Sequence, residues 1–388
     1  MAQALYSCTF GSSTEKELMT RKNNHGRKQY RTVHFICCTV FCVFTFLYLF
    51  YYQGDVLALA QHILSEGATT YDAFIGASVV TFVMLLVHFI VYSMVSLDKW
   101  FYWLTYLPSF LFLAILTDVS PTDEGGVYNY SWLWIAPLLL VIYAFLVRSL
   151  SEIDSLSKDF KSVQLFSKTM WINMLSLTIM MLMVVGISNT DVTLHHRIKM
   201  ESHIINGDYD EALNVGREYS DADESLTMLR AYALSKKGQL GEHIFEYPVI
   251  GGSRAFYPDG RNVRSLMIYN GDITKFIRRR GIGHNNVQAD YKLCGQLADC
   301  SLDKFARDVR RYYKYDMSLP KHYKEALLLY NDVAVGDTVE YADTAMVARF
   351  NQFKKACKHY AGSDKLHNVL NKDYFGTYWY YYACIRKF

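Results

Sequence analysis

Hydrophobic residues form long runs over the first half of the chain, whereas the second half carries apolar positions three and four residues apart. Spanning about 30 Å of hydrocarbon takes roughly 20 mostly apolar residues, because only a helix or a closed barrel satisfies its backbone there. Five segments meet this requirement, at 33–52, 73–97, 101–117, 132–147 and 170–187. They predict a bundle of about five transmembrane helices. As an alternative, 132–147, which contains Pro137, only re-enters the bilayer from one side.

The charges of the polar segments predict the orientation of this bundle. The N-terminal segment 1–32 is basic, whereas the first loop, 53–72, contains no Lys or Arg. The loop 118–131 is purely acidic, and the segment 148–168 is basic again. Because basic loops stay in the cytoplasm, we expect a cytoplasmic N-terminus, an odd number of crossings and an exported domain at 188–388. In a bacterium with two membranes this domain is periplasmic, while the re-entrant alternative returns it to the cytoplasm.

The first span is not expected to be a cleaved signal peptide, since it follows a long polar segment and exceeds the length of a signal-peptide core. Between spans one and two, “DVLALAQHILSEGA” places apolar residues on one broad helical face. This pattern predicts either a helix that lies along the outer membrane interface or a short helix that caps the bundle.

The polar half repeats one local pattern. In “NGDYDEAL”, Asn206-Gly207 ends one helix and Asp208 begins the next. A second turn at Gly238 follows 31 residues after Gly207, and “SLPKHYKEALLLY” (318–330) repeats the tyrosine, acid, alanine and leucine spacing. The pattern resembles tetratricopeptide units, whose period is about 34 residues and whose stacking exposes a concave surface. Residues 248–290 break the period and predict an irregular insertion with one or two helices.

The fold class that follows is all-α: a transmembrane helix bundle and then a tetratricopeptide-like helical hairpin domain. Three segments also resemble an uncharacterised family of multi-pass membrane proteins from Bacteroides and related bacteria. They are “GDVLALAQHILSEGATTYD”, “LPKHYKEALLLY” and “YFGTYWYYYACIRKF”. The resemblance implies an inner-membrane location and a periplasmic helical domain, and it supplies no catalytic residue.

The amino-acid composition of the chain limits the classes of partner that we expect it to bind. The chain is 51% hydrophobic, and its net charge of +3 comes from 40 basic and 37 acidic residues, so no general attraction to nucleic acid is expected. The 8 cysteines do not show the spacing of a zinc site. In an oxidising compartment Cys294 with Cys300, and Cys357 with Cys384, are candidate disulfides, and buried free thiols are the alternative.

Two exposed-looking segments are candidate binding sites. Arg278, Arg279 and Arg280 precede two glycines and suit an anion such as a lipid phosphate or an acidic glycan. The motif lacks the Lys-Ser or Lys-Thr of a nucleotide-binding loop, and a solvated helix end is the simpler interpretation. The aromatic run that includes Tyr378, Trp379 and Tyr380 suits a sugar or peptide platform, or a final helix that buries its rings.

Histidines give weaker signals. His34 and His88 fall inside predicted spans, where an ionisable group suggests a proton or lipid contact, or a neutral histidine bonded to a neighbouring helix. Near the fifth span, His195, His196 and His203 lack the spacing of a metal site and are interpreted as surface residues.

No nucleophile elbow, paired catalytic carboxylate, zinc-protease helix or dinucleotide motif occurs, so the sequence predicts no catalytic residue, metal or cofactor. The leading hypothesis is an inner-membrane protein whose helical-repeat domain recruits a protein or another cell-envelope component in the periplasm. The alternative is a membrane enzyme or transporter for a lipid-linked glycan. In that case Gln61, His62, Glu66 and Asp72 of the first external loop would line its site.

Overall fold

A computed structural model describes the chain at 32–95, 97, 99–121, 129–154, 168–217, 222–280, 286–314, 319–333, 343–360 and 365–386. These residues form helices and no β-strand, as expected for an all-α protein. By its internal contacts the chain divides into two compact units, and the second unit begins at Asp191.

The first unit contains six α-helices among its described residues: α1 (Thr32–Tyr52, with a final π-helical turn), α2 (Gly54–Leu64), α3 (Ala73–Met94), α4 (Leu107–Thr117), α5 (Trp132–Asp154) and α6 (Lys168–Ile187). A 3₁₀ helix, Lys99–Tyr106, leads directly into α4. Five helices are long and apolar enough to cross a membrane: α1, α3, the combined segment Trp100–Thr117, α5 and α6. Each corresponds to one predicted span.

The helix boundaries differ from the prediction at three places. The second span ends at Met94 rather than at 97. The third starts as a 3₁₀ helix with a kink at Phe101, and Pro108 lies in the first turn of α4, where its missing N–H costs nothing. The fourth continues as one helix through Pro137 to Asp154, so the predicted loop after 147 begins as helix.

Hydrogen bonds join the C-terminal ends of three of these helices. The Gln53 side chain, just after α1, donates to Ser188 Oγ at 3.3 Å and to the Asn189 carbonyl at 3.2 Å, both just after α6. The Asn189 amides in turn donate to the carbonyls of Thr117 and Val119 at the end of α4, at 3.2 and 2.6 Å. These helices therefore end on the same side of the bundle.

The second unit contains eleven α-helices among its described residues: α7 (Val192–Asn206), α8 (Tyr209–Asn214), α9 (Glu224–Lys236), α10 (Leu240–His243), α11 (Asn270–Ile277), α12 (Val287–Ala298), α13 (Leu302–Tyr312), α14 (Lys321–Val333), α15 (Thr344–His359), α16 (Lys365–Tyr374) and α17 (Tyr378–Arg386). They share one hydrophobic core.

Local sequence signals explain the first turns of this unit. The Asp191 carboxylate accepts hydrogen bonds from the Thr193 and Leu194 amides and begins α7. Gly207 adopts φ +84°, where a side chain would be strained, and ends that helix as predicted. Asp223 caps α9 in the same way as Asp191 caps α7.

The second helix of each predicted hairpin is shorter than a tetratricopeptide helix. After “NGD”, α8 is only 6 residues long, because the chain becomes extended at Val215 and turns at Gly216 with φ +57°. The helix predicted through Phe245 is 4 residues of α-helix, α10, followed by a 3₁₀ turn, Ile244–Glu246.

Candidate functional site

The aromatic C-terminal helix, α17, lies mostly in the core. Tyr378 and Trp379 are 0% and 1% exposed. The Tyr378 hydroxyl donates to the Leu297 carbonyl at 3.1 Å, and the Trp379 indole N–H donates to the Glu325 carbonyl at 2.8 Å. Their ring faces are therefore unavailable as a platform, and the structure favours the interpretation in which the helix buries its rings. Tyr380 is half-buried beside Phe375.

A buried histidine–glutamate pair supports this helix. The Glu325 carboxylate accepts hydrogen bonds from the Tyr378 amide at 2.7 Å and from His322 Nδ1 at 2.9 Å. The Phe245 amide donates to His322 Nε2 at 3.3 Å, which fixes the proton on Nδ1. Because both ring nitrogens are occupied, the pair joins three segments of the core and leaves no nitrogen for a substrate.

A second buried polar cluster consists of an aspartate, two tyrosines and a cysteine. Asp290 Oδ1 accepts hydrogen bonds from the hydroxyls of Tyr313 at 2.5 Å and Tyr323 at 2.9 Å. The Tyr323 hydroxyl also lies 3.4 Å from Cys294 Sγ. Burial raises the pKa of Cys294 well above its usual range, so this thiol is a poor nucleophile. The sequence analysis did not identify this cluster, because its members lie on α12, directly after α13 and on α14.

The three arginines after α11 are exposed. The Arg279 guanidinium lies over the Phe276 ring, 5.9 Å from its centroid, and Arg280 Nε donates to Gln288 Oε1 at 3.1 Å. The glycines that complete the predicted anion loop, Gly281 and Gly283, lie outside the described residues. What is described corresponds to the solvated end of a helix.

A groove opens between α14 and α15 of the second unit. It encloses about 180 Å³. Its floor is apolar and is formed by Leu329, Phe350 and Phe353, whereas the rim carries an ion pair in which Lys354 Nζ lies 2.6 Å from Asp332 Oδ1. The remaining lining residues are Val333, Cys357 and Lys358.

The helix α15 gives this groove a basic border. Its sequence contains Arg349, Lys354, Lys355 and Lys358 and no acidic residue. Lys358 is exposed at the groove, and Val333 on the opposite rim is 51% exposed. Of these basic residues, Lys354 and Lys358 line the groove, so the groove combines an apolar floor with two basic side chains and the Asp332 carboxylate.

A larger cavity of about 330 Å³ lies in the first unit between α2, α3 and α4. Its walls are Leu57, Ala60, Leu64, Val80 and Leu116, and its polar groups are Gln61, Ser65 and Tyr71. Leu57 and Ala60 belong to the apolar face of α2, which packs on α3 and α4. This packing favours the prediction that α2 caps the bundle.

Of the first-loop residues predicted to line a site, only Gln61 lines this cavity. Its side-chain amide donates to Thr69 Oγ1 at 2.9 Å. The ring of His62 lies instead under the turn at Gly67, and Glu66 is exposed with φ +52°. Asp72 caps α3 by accepting a hydrogen bond from the Ile75 amide at 2.8 Å. The other three residues, His62, Glu66 and Asp72, therefore do not line the cavity, and the turn between α2 and α3 sets their positions.

The two histidines within apolar helices contact aromatic neighbours at the other end of the bundle. His88 Nε2 lies 3.2 Å from the Tyr102 hydroxyl, and its ring stacks on Tyr106 with centroids 3.7 Å apart. His34 stacks on Tyr102 at the same separation. His88 also lies 3.4 Å from the Thr105 carbonyl, which favours the interpretation of a histidine bonded to a neighbouring helix.

Within the described residues, the histidines of α7 among them, no group of three or more His, Cys, Asp or Glu side chains is arranged to hold a metal ion. Cys294, Cys300, Cys357 and Cys384 form no disulfide in this part of the chain.

Fold and cavities together define an all-α protein with five membrane-length apolar helices and a separate helical unit. A family described as a family of unknown function (DUF6057) matches residues 127–273 and 282–385, more than half of the chain. The chain belongs to this family. No curated protein and no solved structure shows significant similarity to it.

Proposed function

We propose that the protein is anchored in the bacterial inner membrane by its first unit and recruits a protein partner to the periplasmic surface with its second unit. The observation that carries the proposal is the groove between α14 and α15, an apolar pocket with a basic border on a unit that has its own core.

The joined helix ends support the proposed orientation. The chain leaves α1 at Gln53 and α6 at Asn189, and hydrogen bonds hold these two points together. If α1 starts in the cytoplasm, as its basic leading segment predicts, both points lie on the outer side. The second unit then begins outside the cytoplasm.

Paired helices support a tetratricopeptide-like arrangement of the second unit. Gly241 on α10 packs closely on the side chains of Pro320, just before α14, and of Tyr323 on α14, so that α10 and α14 meet at a small residue. We propose that the unit is a shortened, irregular relative of this repeat class.

The chemistry of the groove identifies the class of partner. Phe350 and Phe353 suit an apolar side chain, and the exposed Lys358 suits a carboxylate beside it. We therefore propose an acidic peptide segment of a periplasmic protein, with one apolar anchor, as the ligand.

Two measurements test this function. Alkaline phosphatase fused after Phe388 should be active, whereas a fluorescent protein that folds only in the cytoplasm should stay dark there. The reverse result excludes the periplasmic role.

The second measurement uses a photo-crosslinking amino acid at Val333 of the full chain in native membranes. We expect one crosslinked protein that is lost in Lys358→Glu and kept in Lys304→Glu, an exposed charge reversal on α13. Equal crosslinking in both variants would reject the groove as the recruiting surface.

A further inference from the structure

The cavity of the first unit is shaped for a hydrocarbon chain. Its volume of about 330 Å³ lies at the lower end of the range of about 300–1,000 Å³ that small-molecule sites occupy. Aliphatic side chains from three helices, Leu57, Val80 and Leu116 among them, form its walls. A single alkyl chain fits such a space, whereas a whole phospholipid does not.

The position of the cavity indicates which molecule provides that alkyl chain. The cavity lies at the start of α3 and the end of α4, beside side chains that face away from the bundle: Leu64, Phe74 and Val79 are 71%, 62% and 55% exposed. In a membrane protein such surfaces are covered by hydrocarbon. The nearest occupant is therefore a lipid of the surrounding bilayer, an argument that rests on the membrane anchoring proposed above.

One buried polar group indicates where the polar end of the bound alkyl chain lies. Tyr71 lines the cavity, and its hydroxyl is buried and has no hydrogen-bond partner among the described residues. Buried hydroxyls strongly favour a partner, because losing water without replacement is costly. A Cβ at Gly76 would overlap the Tyr71 ring, so this glycine permits the ring to approach α3.

We propose that this cavity binds one acyl chain of a bilayer phospholipid, and that the Tyr71 hydroxyl donates a hydrogen bond to the ester carbonyl of that chain. The polar lining supports an ester over a charged head: Gln61, Ser65 and Tyr71 are neutral, and no lining residue is basic. A polyprenyl phosphate would bring a phosphate without an ester carbonyl, and it would find no cation there.

Photolabelling tests the location. The full chain is placed in nanodiscs that contain a phospholipid with a photoreactive group in its acyl chain, and labelled peptides are mapped. We expect label on α2 at Leu57 and Ala60, the lining residues of this helix that are buried from the surrounding bilayer. Val80→Phe fills the cavity and should lower that label about tenfold, whereas Val79→Phe, at the exposed neighbour, should retain it.

Label on α5 is the internal control. The outward side chains of this helix, such as Trp134 at 83% exposure, should be labelled in every variant with an intact bundle. If α5 is labelled while α2 is not, or if both valine variants behave alike, the inference is overturned and the proposed recruitment function is untouched. If no helix is labelled, the membrane anchoring itself fails.

Competition tests the hydrogen bond. Unlabelled ester phospholipid should displace the probe about fivefold better than its ether analogue in the wild type, because only the ester offers a carbonyl. This preference should disappear in Tyr71→Phe and persist in Tyr51→Phe, at a tyrosine that is 77% exposed. No ester preference in the wild type, or stronger competition by a polyprenyl phosphate, would overturn the assignment.

Discussion

Single buried side chains join distant segments of the second unit. Glu325 bonds to an amide 53 residues away, and His322 receives a hydrogen bond from an amide 77 residues away. In the sequence both look like ordinary polar positions of “SLPKHYKEALLLY”. Their roles could not be predicted, because the partners are brought together only by the packing of α14, α17 and the turn after α10.

Removing the Glu325 carboxylate should destabilise the second unit strongly. Glu325→Ala leaves the Tyr378 amide and His322 Nδ1 buried without an acceptor, so we expect a loss of about 3 kcal/mol in the free energy of unfolding. Urea unfolding of residues 191–388 measures it. The control Glu211→Ala, at an exposed position of α8, should change stability by less than about 0.5 kcal/mol. Similar losses in both variants would contradict the role of Glu325.

Glu246 should make the second unit sensitive to acid. Burial raises the pKa of this carboxyl, but Lys321, at 2.8 Å, and His243 outweigh that effect, so the pKa lies below its ordinary value of 4.5. A depressed pKa stabilises the folded state above about pH 4.5, and this stabilisation is lost as the pH falls through the folded-state pKa.

Urea unfolding of residues 191–388 at pH 7 and pH 3.5 tests this dependence. Glu246→Gln should lower stability at pH 7 by about 1 kcal/mol and should lose less on acidification than the wild type. An unchanged acid dependence in the variant would show that Glu246 contributes nothing to it.

At the scale of helices, the hydropathy and the turn residues of the sequence predicted many of the helices and where they end. The five apolar helices follow from the length of their hydrophobic runs, and the end of α7 follows from the left-handed conformation that Gly207 adopts. The shortness of α8 was not predictable, because Gly216 turns there against the His196 ring, a contact between separate elements. The cavity of the first unit likewise depends on how three helices pack, although the apolar face of α2 was visible in the sequence.

Three glycines of the second unit should respond to alanine substitution, for two different reasons. Gly207 has φ +84° and open space around it, so Gly207→Ala should cost about 1–2 kcal/mol through backbone strain alone. Gly238, with φ +66° and open space, should behave the same. Gly241 lacks such a φ, but its Cβ would lie 2.9 Å from Pro320 Cβ and Tyr323 Cζ.

We therefore expect Gly241→Ala to cost about 1–3 kcal/mol by overpacking α10 on α14. Thermal unfolding of the three variants distinguishes the causes. Only the Gly241 variant should also perturb the environment of Tyr323, measured by its side-chain NMR signals. If Gly241→Ala left the free energy of unfolding unchanged, α10 would be able to move away from α14 without cost.

At the scale of the whole molecule, the second unit should fold without the apolar helices of the first unit. It has its own core, and Trp379, the one tryptophan in the sequence after 190, is 1% exposed within it. Residues 191–388 expressed alone should be helical by circular dichroism and should show blue-shifted fluorescence that moves to the red in one cooperative transition. Red-shifted emission without denaturant would show that the unit needs the rest of the chain.

The bonds that gather Gln53, Thr117 and Asn189 impose an order on biogenesis. A ribosome makes Gln53 long before Ser188, so the side-chain amide of Gln53 gains these acceptors only after α6 has been made. A chain that ends before α6 lacks the hydrogen bonds that join the ends of α1 and α6, and we expect it to be less stable than the full chain.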